Sequence, residues 1–279
     1  GLMDSRPEDW VFVDWAELDN SGQVCYEQLL MIAALRACAN LGKQFGQKER
    51  AGKYGKIYEE SLKLIEKFWC EEKGAYVYSY KNGVPDGKIL RQPNVMAVFY
   101  DLCDDERKEK IKNNVLKNDA VTPITTPYMR FYELSALCKL GETEYVLQEL
   151  YGYWGGMLED GATTFWESYD KRQKEPEKYA MYGRKYGKSL CHAWGAGPLY
   201  IIGRYIVGLK PENGESFTIE PNVSVLKNFR ATFHLPKGNI SVEVCGGKIG
   251  ILSETLCGKL ILNGITYDVE AGKFTEAGV

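Results

Sequence analysis

Histidine is nearly missing from this chain: His192 and His234 are the two imidazoles in 279 residues. Eight cysteines stand singly, and none forms a Cys-x-x-Cys pair. That supply of ligands argues against a Cys/His zinc site, so no metal and no cofactor are expected. Most of the thiols lie in apolar stretches, where free cysteine acts as a small hydrophobe, and they are read as reduced. No apolar run is long enough to span a bilayer, and the start shows no signal-peptide pattern. Gly1 is set aside as a tag remnant. A net charge of −3 leaves no basic footprint for nucleic acid or for an anionic membrane surface. The expectation is a soluble bacterial protein, with cytoplasm and periplasm both open.

The composition is otherwise ordinary for a globular protein, at 44% hydrophobic and 26% charged residues. The length allows one large domain, or one large and one small. Residues 4–20 read as a polar and aromatic loop containing Trp10, Phe12, Asp14, Trp15 and Asp19. Ser21 is then expected to cap a helix that runs to Leu41, apolar nearly all round and stopped by Gly42. A second helix follows over 48–69, where Tyr54, Tyr58, Leu62, Ile65 and Trp69 mark one face. Tyr76, Tyr78 and Tyr80, followed by Asn82-Gly83, predict a hairpin between helices. Further helices are expected near 92–103, 104–117, 126–140, 142–154 and 189–208, with Pro198 kinking or restarting the last.

Past Pro211 the hydrophobic period changes from the helical one to two. Phe217 and Ile219, then Ile240, Val242 and Val244, then Leu260 and Leu262 alternate with polar residues. Gly246-Gly247 and Asn263-Gly264 supply turns. The expected organisation is a helical, catalytic portion over 1–211 and a small antiparallel β domain over 212–279, a sandwich with a supporting role.

The chemistry centres on residues 155–167, Gly-Gly-Met-Leu-Glu-Asp-Gly-Ala-Thr-Thr-Phe-Trp-Glu. Two glycine-containing turns are expected to bracket a short apolar segment that ends in Trp166-Glu167. An indole beside a carboxylate suits a sugar site. The ring packs on the apolar face of a pyranose, and the drier surroundings tune the acid. Taken as a bare dipeptide, the same pair reads as a core plug followed by a solvated helix residue.

The longer pattern resembles the six-hairpin glycosidases of the α-L-rhamnosidase type. It is carried by Gly161-Ala162-Thr163-Thr164-Phe165-Trp166-Glu167, by Ser189-Leu190-Cys191-His192-Ala193-Trp194-Gly195, and by Phe12-Val13-Asp14-Trp15. The resemblance implies a mainly α fold, an (α/α) six-hairpin toroid followed by the β-sandwich. Seven or eight helices are too few for a closed ring, so the toroid in this chain is expected to be incomplete. It further implies Glu167 as general base, and Trp15, Asp14, Trp166, Asp170, His192 and Trp194 as substrate-binding residues. The partner is then a carbohydrate, a rhamnose-containing glycan or glycoside.

The implied reaction is inverting glycoside hydrolysis, in which a second carboxylic acid protonates the leaving oxygen. The family's acid segment has no match. Asp4-Ser5-Arg6-Pro7-Glu8-Asp9 has the residue types but not the spacing. The acid lies upstream in a longer polypeptide, or is one of Glu17, Asp19 and Asp170. Two other readings stand beside this one: a glycan-binding or scaffold fragment without turnover, and an unsaturated-uronide hydrolase using Arg184 and Lys185 on the loop over 171–188.

Overall fold

The computed structural model describes residues 1–6 and 8–279, so Pro7 of the 4–9 segment lies outside the described residues. The chain forms two compact units. One comprises residues 1–141 with 166–192, and the other 142–165 with 193–279.

The first unit is built of helical hairpins. α1 (Cys25–Gln44) runs into α2 (Lys48–Leu64), and Gly42 is where they come closest. A Cβ at Gly42 would stand 3.0 Å from the Ala51 backbone nitrogen. Ser21 does not cap α1. Its hydroxyl bonds the Asp19 carboxylate instead, because Gln23–Val24 is drawn into a short strand, β1, which pairs with Ser79–Lys81. The N-terminal half of α1 is buried through Cys25, Tyr26, Leu29 and Ile32. Its C-terminal half leaves Ala34, Ala37, Cys38 and Leu41 exposed, so this helix is not buried all round. After Leu64 the chain tightens into a 3₁₀ turn, Ile65–Phe68, and Trp69–Cys70 is already a strand, β2.

The tyrosine hairpin consists of β3 (Ala75–Tyr76), β4 (Ser79–Lys81) and β5 (Val84–Pro85). Asn82 and Gly83 turn it with φ of 50° and 79°, the pair of positive values a type I′ turn needs. Tyr76 and Tyr78 are fully buried, as packing residues. Then come α3 (Arg91–Phe99), α4 (Asp105–Ile111) and α5 (Pro127–Lys139), with α3 against both α1 and α5. Asp104 caps α4 by accepting from Arg107 N–H at 2.8 Å. Between α3 and α5 lies a buried ionic group. Arg91 reaches one oxygen of Glu133 at 2.6 Å, and Arg130 the other at 2.5 Å.

The second unit opens with α6 (Thr143–Leu150), which continues through a π-helical turn into α7 (Gly156–Glu159). Gly155-Gly156 is therefore helical rather than a turn. The turn comes at Gly161, with φ +87°. The predicted helix over 189–208 is shorter than the sequence suggests: α8 spans Gly197–Ile201, with Pro198 in its first turn, and a π-helical turn carries it to Ile206.

Two four-stranded sheets follow. One has the order β13-β10-β9-β8, and the other β12-β11-β7-β6. The strands are β6 (Leu209–Glu212), β7 (Ser216–Ile219), β8 (Phe229–Leu235), β9 (Gly238–Cys245), β10 (Lys248–Ser253), β11 (Cys257–Leu262), β12 (Ile265–Val269) and β13 (Phe274–Gly278). Their shared core contains Phe217, Ile219, Ile240, Val242, Val244, Ile249, Ile251 and Leu260. Both predicted turns form, Gly246-Gly247 between β9 and β10 and Asn263-Gly264 between β11 and β12. The domain is not wholly antiparallel, since β7 and β11 pair in parallel.

None of the eight cysteines is in a disulfide, and only Cys25 and Cys138 among them are buried. The remainder reach the surface at least in part, so most do not serve as core hydrophobes. Among the described residues no helix is long and apolar enough to cross a membrane.

Candidate active site

Glu167 lies in the first unit and is 4% exposed. A carboxylate this deep must be hydrogen-bonded. Its position is set by a two-way exchange with Ser189. Glu167 N–H donates to the Ser189 carbonyl at 2.9 Å, and Ser189 N–H donates to Glu167 Oε2 at 3.0 Å. The Tyr182 hydroxyl donates to the other oxygen, Oε1. Partial loss of water around that phenol, then its bond to Glu167 and the charge there, push its ionisation up to about 12.

Tyr182 comes from the long connection over 171–188, which is an ordered structure of turns. Met181 and Arg184 exchange both backbone hydrogen bonds, at 3.0 and 2.9 Å, around Tyr182 (φ 54°) and Gly183 (φ 70°). This is a two-residue I′-type turn with an aromatic residue in the left-handed region, where bulky side chains are rare. Gly187 lets the loop close on itself, because a Cβ there would stand 2.0 Å from the Met181 carbonyl oxygen. Lys188 is buried, and its ammonium bonds the Lys178 carbonyl at 2.5 Å. Burial pushes its pKa down, while the charges of Glu167 and Asp170 oppose that shift.

Trp15 is 41% exposed, and its ring meets Tyr182 edge-on with centroids 5.4 Å apart. The exposed remainder of the indole is a face that a sugar ring can cover. Asp14, the next residue, turns inward. Its Oδ1 accepts from Trp15 N–H at 2.9 Å and from the Thr126 hydroxyl at 2.5 Å, and its Oδ2 accepts from Gln92 at 3.1 Å. Burial raises its pKa above the usual carboxylate range, against the pull of those donors. With its oxygens so occupied, Asp14 shapes the Trp15 loop.

Trp166 is 3% exposed and packs between Tyr169 and Tyr179, with centroids 6.2 and 5.8 Å away. It supports Glu167 from the protein side and presents no open face. Asp170 is ion-paired with Arg172 at 2.6 Å, a bond that lowers its pKa. Asp19 is tied to Lys81, and its pKa is lowered to about 2. Both are suited to stay ionised, which is the wrong state for a proton donor at neutral pH. Glu17 is exposed. His192 is half-buried and follows Ser189 in an irregular segment, not in a helix. Trp194 belongs to a 3₁₀ turn, Ala193–Gly195, in the second unit.

Sequence reasoning singled out Glu167 and Trp15, which Tyr182 links in the structure, and did not single out the groups bonded to the Glu167 carboxylate, the Tyr182 hydroxyl and the Ser189 backbone. The signal for one of them was present. Tyr182-Gly183 is an aromatic-glycine dipeptide that suits an I′ turn, set in a stretch otherwise read only by its charges and tyrosine spacing. Among the described residues no group of three or more His, Cys, Asp or Glu is placed to hold a metal ion.

In the second unit, Trp154, Met157, Leu158, Ala162, Phe165 and Pro198 line a mostly apolar hollow of about 250 Å³. Residues 162–165 of the motif thus line this hollow, while Trp166 and Glu167 belong to the first unit.

Comparison with known proteins bears on the family of the chain. An alpha-L-rhamnosidase of Formosa agariphila is 24% identical over 179 residues, 58% of this chain and 18% of that protein. A crystal structure of a rhamnosidase from Bacillus sp. GL1 superposes with a TM-score of 0.79 and 28% identity. It covers 92% of this chain, which spans only 28% of that one. A rhamnosidase from Klebsiella oxytoca solved with rhamnose bound gives a TM-score of 0.63 and 26% identity, over 74% of this chain and 38% of its own. Residues 3–206 match the bacterial alpha-L-rhamnosidase six-hairpin glycosidase domain, and the chain belongs to that family.

Proposed function

We propose that these residues carry the base side of an inverting glycosidase that removes a terminal α-L-rhamnosyl residue, with Glu167 as general base. The observation that carries this reading is a buried carboxylate held on both oxygens, with an exposed indole one ring away. Glu167 takes a proton from water as that water attacks the anomeric carbon, and the glycosidic oxygen receives a proton from an acid on the opposite face. Trp15 covers the apolar face of the sugar. The substrate class is supported by the Klebsiella relative, whose structure holds rhamnose.

The proton donor lies outside these residues. Asp19 and Asp170 are committed to cations, Asp14 to three donors, and the chain spans less than a third of the Bacillus rhamnosidase. In the complete site the donor and Glu167 stand about 6.5–9.5 Å apart, leaving room for the water. We take 1–211 as the catalytic portion and 212–279 as its support.

Proton NMR of an aryl α-L-rhamnoside turned over by the full polypeptide tests the stereochemistry. Inversion releases the β anomer first. Initial release of the α anomer overturns the assignment of Glu167 as base. A uronide hydrolase would prefer an anionic substrate; Arg184 and Lys185 are exposed on the loop, and Lys185 lies over the Tyr186 ring.

A further inference from the structure

We infer that Tyr182 is a positioning residue for Glu167, an anchor that fixes the plane of the carboxylate so that one direction of attack on water is favoured. The inference rests on the base assignment above and adds a residue to it. A carboxylate held at one oxygen alone can still swing about its last torsion, which is broad for Glu. Ser189 N–H holds Oε2 from the backbone, and the Tyr182 hydroxyl holds Oε1 from the loop. Two donors from different segments, 7 residues apart in sequence, define a plane that neither defines alone.

The placement of the phenol is built and not incidental. The Met181–Arg184 exchange clamps the turn, Gly187 admits the close return of the chain, and Trp15 stops the ring from one edge. The left-handed backbone at Tyr182 is a conformation a bulky residue adopts at a cost, of the sort found where surroundings over-determine it. Tyr182 is itself 55% exposed, whereas Glu167 is 4% exposed, so the phenol ties the buried carboxylate to the surface of the loop. Its role is one of orientation: it touches the base, and the base touches water.

The test is Tyr182→Phe in the full polypeptide, with Tyr186→Phe as control. Tyr186 is on the same loop and 73% exposed. Steady-state kinetics on an aryl α-L-rhamnoside are measured beside crystal structures of the wild type and both variants. Loss of a positioning bond is expected to lower kcat about 10- to 100-fold with KM changed less than about 3-fold. The Glu167 carboxylate should be in one orientation in the wild type and in Tyr186→Phe, and spread over two or more in Tyr182→Phe. A Tyr182→Phe protein with unchanged kcat, or with the loss confined to KM, overturns the anchor and makes Tyr182 a sugar contact or a spectator. Inactive wild type counts against the rhamnosidase reading and not against the anchor. The structures then decide alone, and a single Glu167 orientation in Tyr182→Phe overturns it.

Discussion

Glu167 and Ser189, 22 residues apart, hold each other by main chain and side chain together. The two hydrogen bonds join the segment carrying Glu167 to the segment carrying His192, and the loop over 171–188 is the chain between them. That loop delivers both Tyr182 and Lys188 to the same neighbourhood. The site is thus made of consecutive pieces of one excursion, to which the Asp14-Trp15 segment is added from far away in sequence.

Trp15 should act on binding. Its ring is supported by Phe12 and Tyr182, with centroids at 4.9 and 5.4 Å, while a large part stays open to solvent. Trp15→Ala is expected to raise the Kd for rhamnose up to about 10-fold, the scale of one aromatic contact, with little loss of stability. Isothermal titration checks the affinity, and thermal melting checks the fold.

Asp14 predicts a pH dependence with a definite sign. Burial raises its folded-state pKa above the unfolded value. Its contribution to stability is present below the unfolded carboxylate value and is lost as pH rises through the folded one. Asp14→Asn removes the titration and keeps an acceptor for Trp15 N–H and Thr126. The melting temperature of the wild type should therefore fall relative to the variant as pH rises above the unfolded carboxylate value of about 4. A parallel pair of curves would contradict the assignment.

Arg91 should be among the costliest side chains to remove. It donates to Glu133 and to the carbonyls of Leu116 and Asn118 at 2.6, 2.8 and 3.0 Å, the first two in the interior and the third partly buried. Arg91→Met leaves the Glu133 carboxylate its ion pair with Arg130 and strips donors from two carbonyls. Urea denaturation should show a loss of about 3–5 kcal/mol, the cost of breaking a buried pair from one side.

Gly208 marks the passage from the π-helical turn to β6. Its φ is +80°, and a Cβ would stand 1.9 Å from the Glu220 carbonyl oxygen. Gly208→Ala should cost about 2–5 kcal/mol, backbone strain and overpacking together. Gly214→Ala, also at positive φ but facing open space, should cost about 1–2 kcal/mol. Melting curves of the two variants compare the terms.

Most of the fold could be read from residue pattern. Helical spacing, the Asn82-Gly83, Gly246-Gly247 and Asn263-Gly264 turns, and the switch to period two beyond Pro211 all have local causes. What escaped had causes distant in sequence. Ser21 suits a helix cap by its neighbours alone, and no local feature announces that Gln23–Val24 pairs with a strand more than fifty residues on. The parallel pairing of β7 with β11 is likewise invisible to alternation, which gives faces but not partners. In the site, motif residues led to Glu167 and Trp15. Trp166 shows the limit: the same Trp-Glu adjacency suits a sugar platform or a core plug, and burial between two tyrosines makes it the latter. Backbone donors such as Ser189 N–H leave no mark in a sequence at all.

The most direct measurement is turnover of an aryl α-L-rhamnoside by the full polypeptide with and without Glu167→Gln. The amide keeps the shape and can still accept from Ser189 N–H, so folding should be preserved within about 1 kcal/mol by urea denaturation. Loss of the base should lower kcat by about 10²–10⁴-fold. A folded Glu167→Gln protein that hydrolyses the rhamnoside at the wild-type rate would contradict the central claim, and Glu167 would then be a structural carboxylate in a site whose base lies elsewhere.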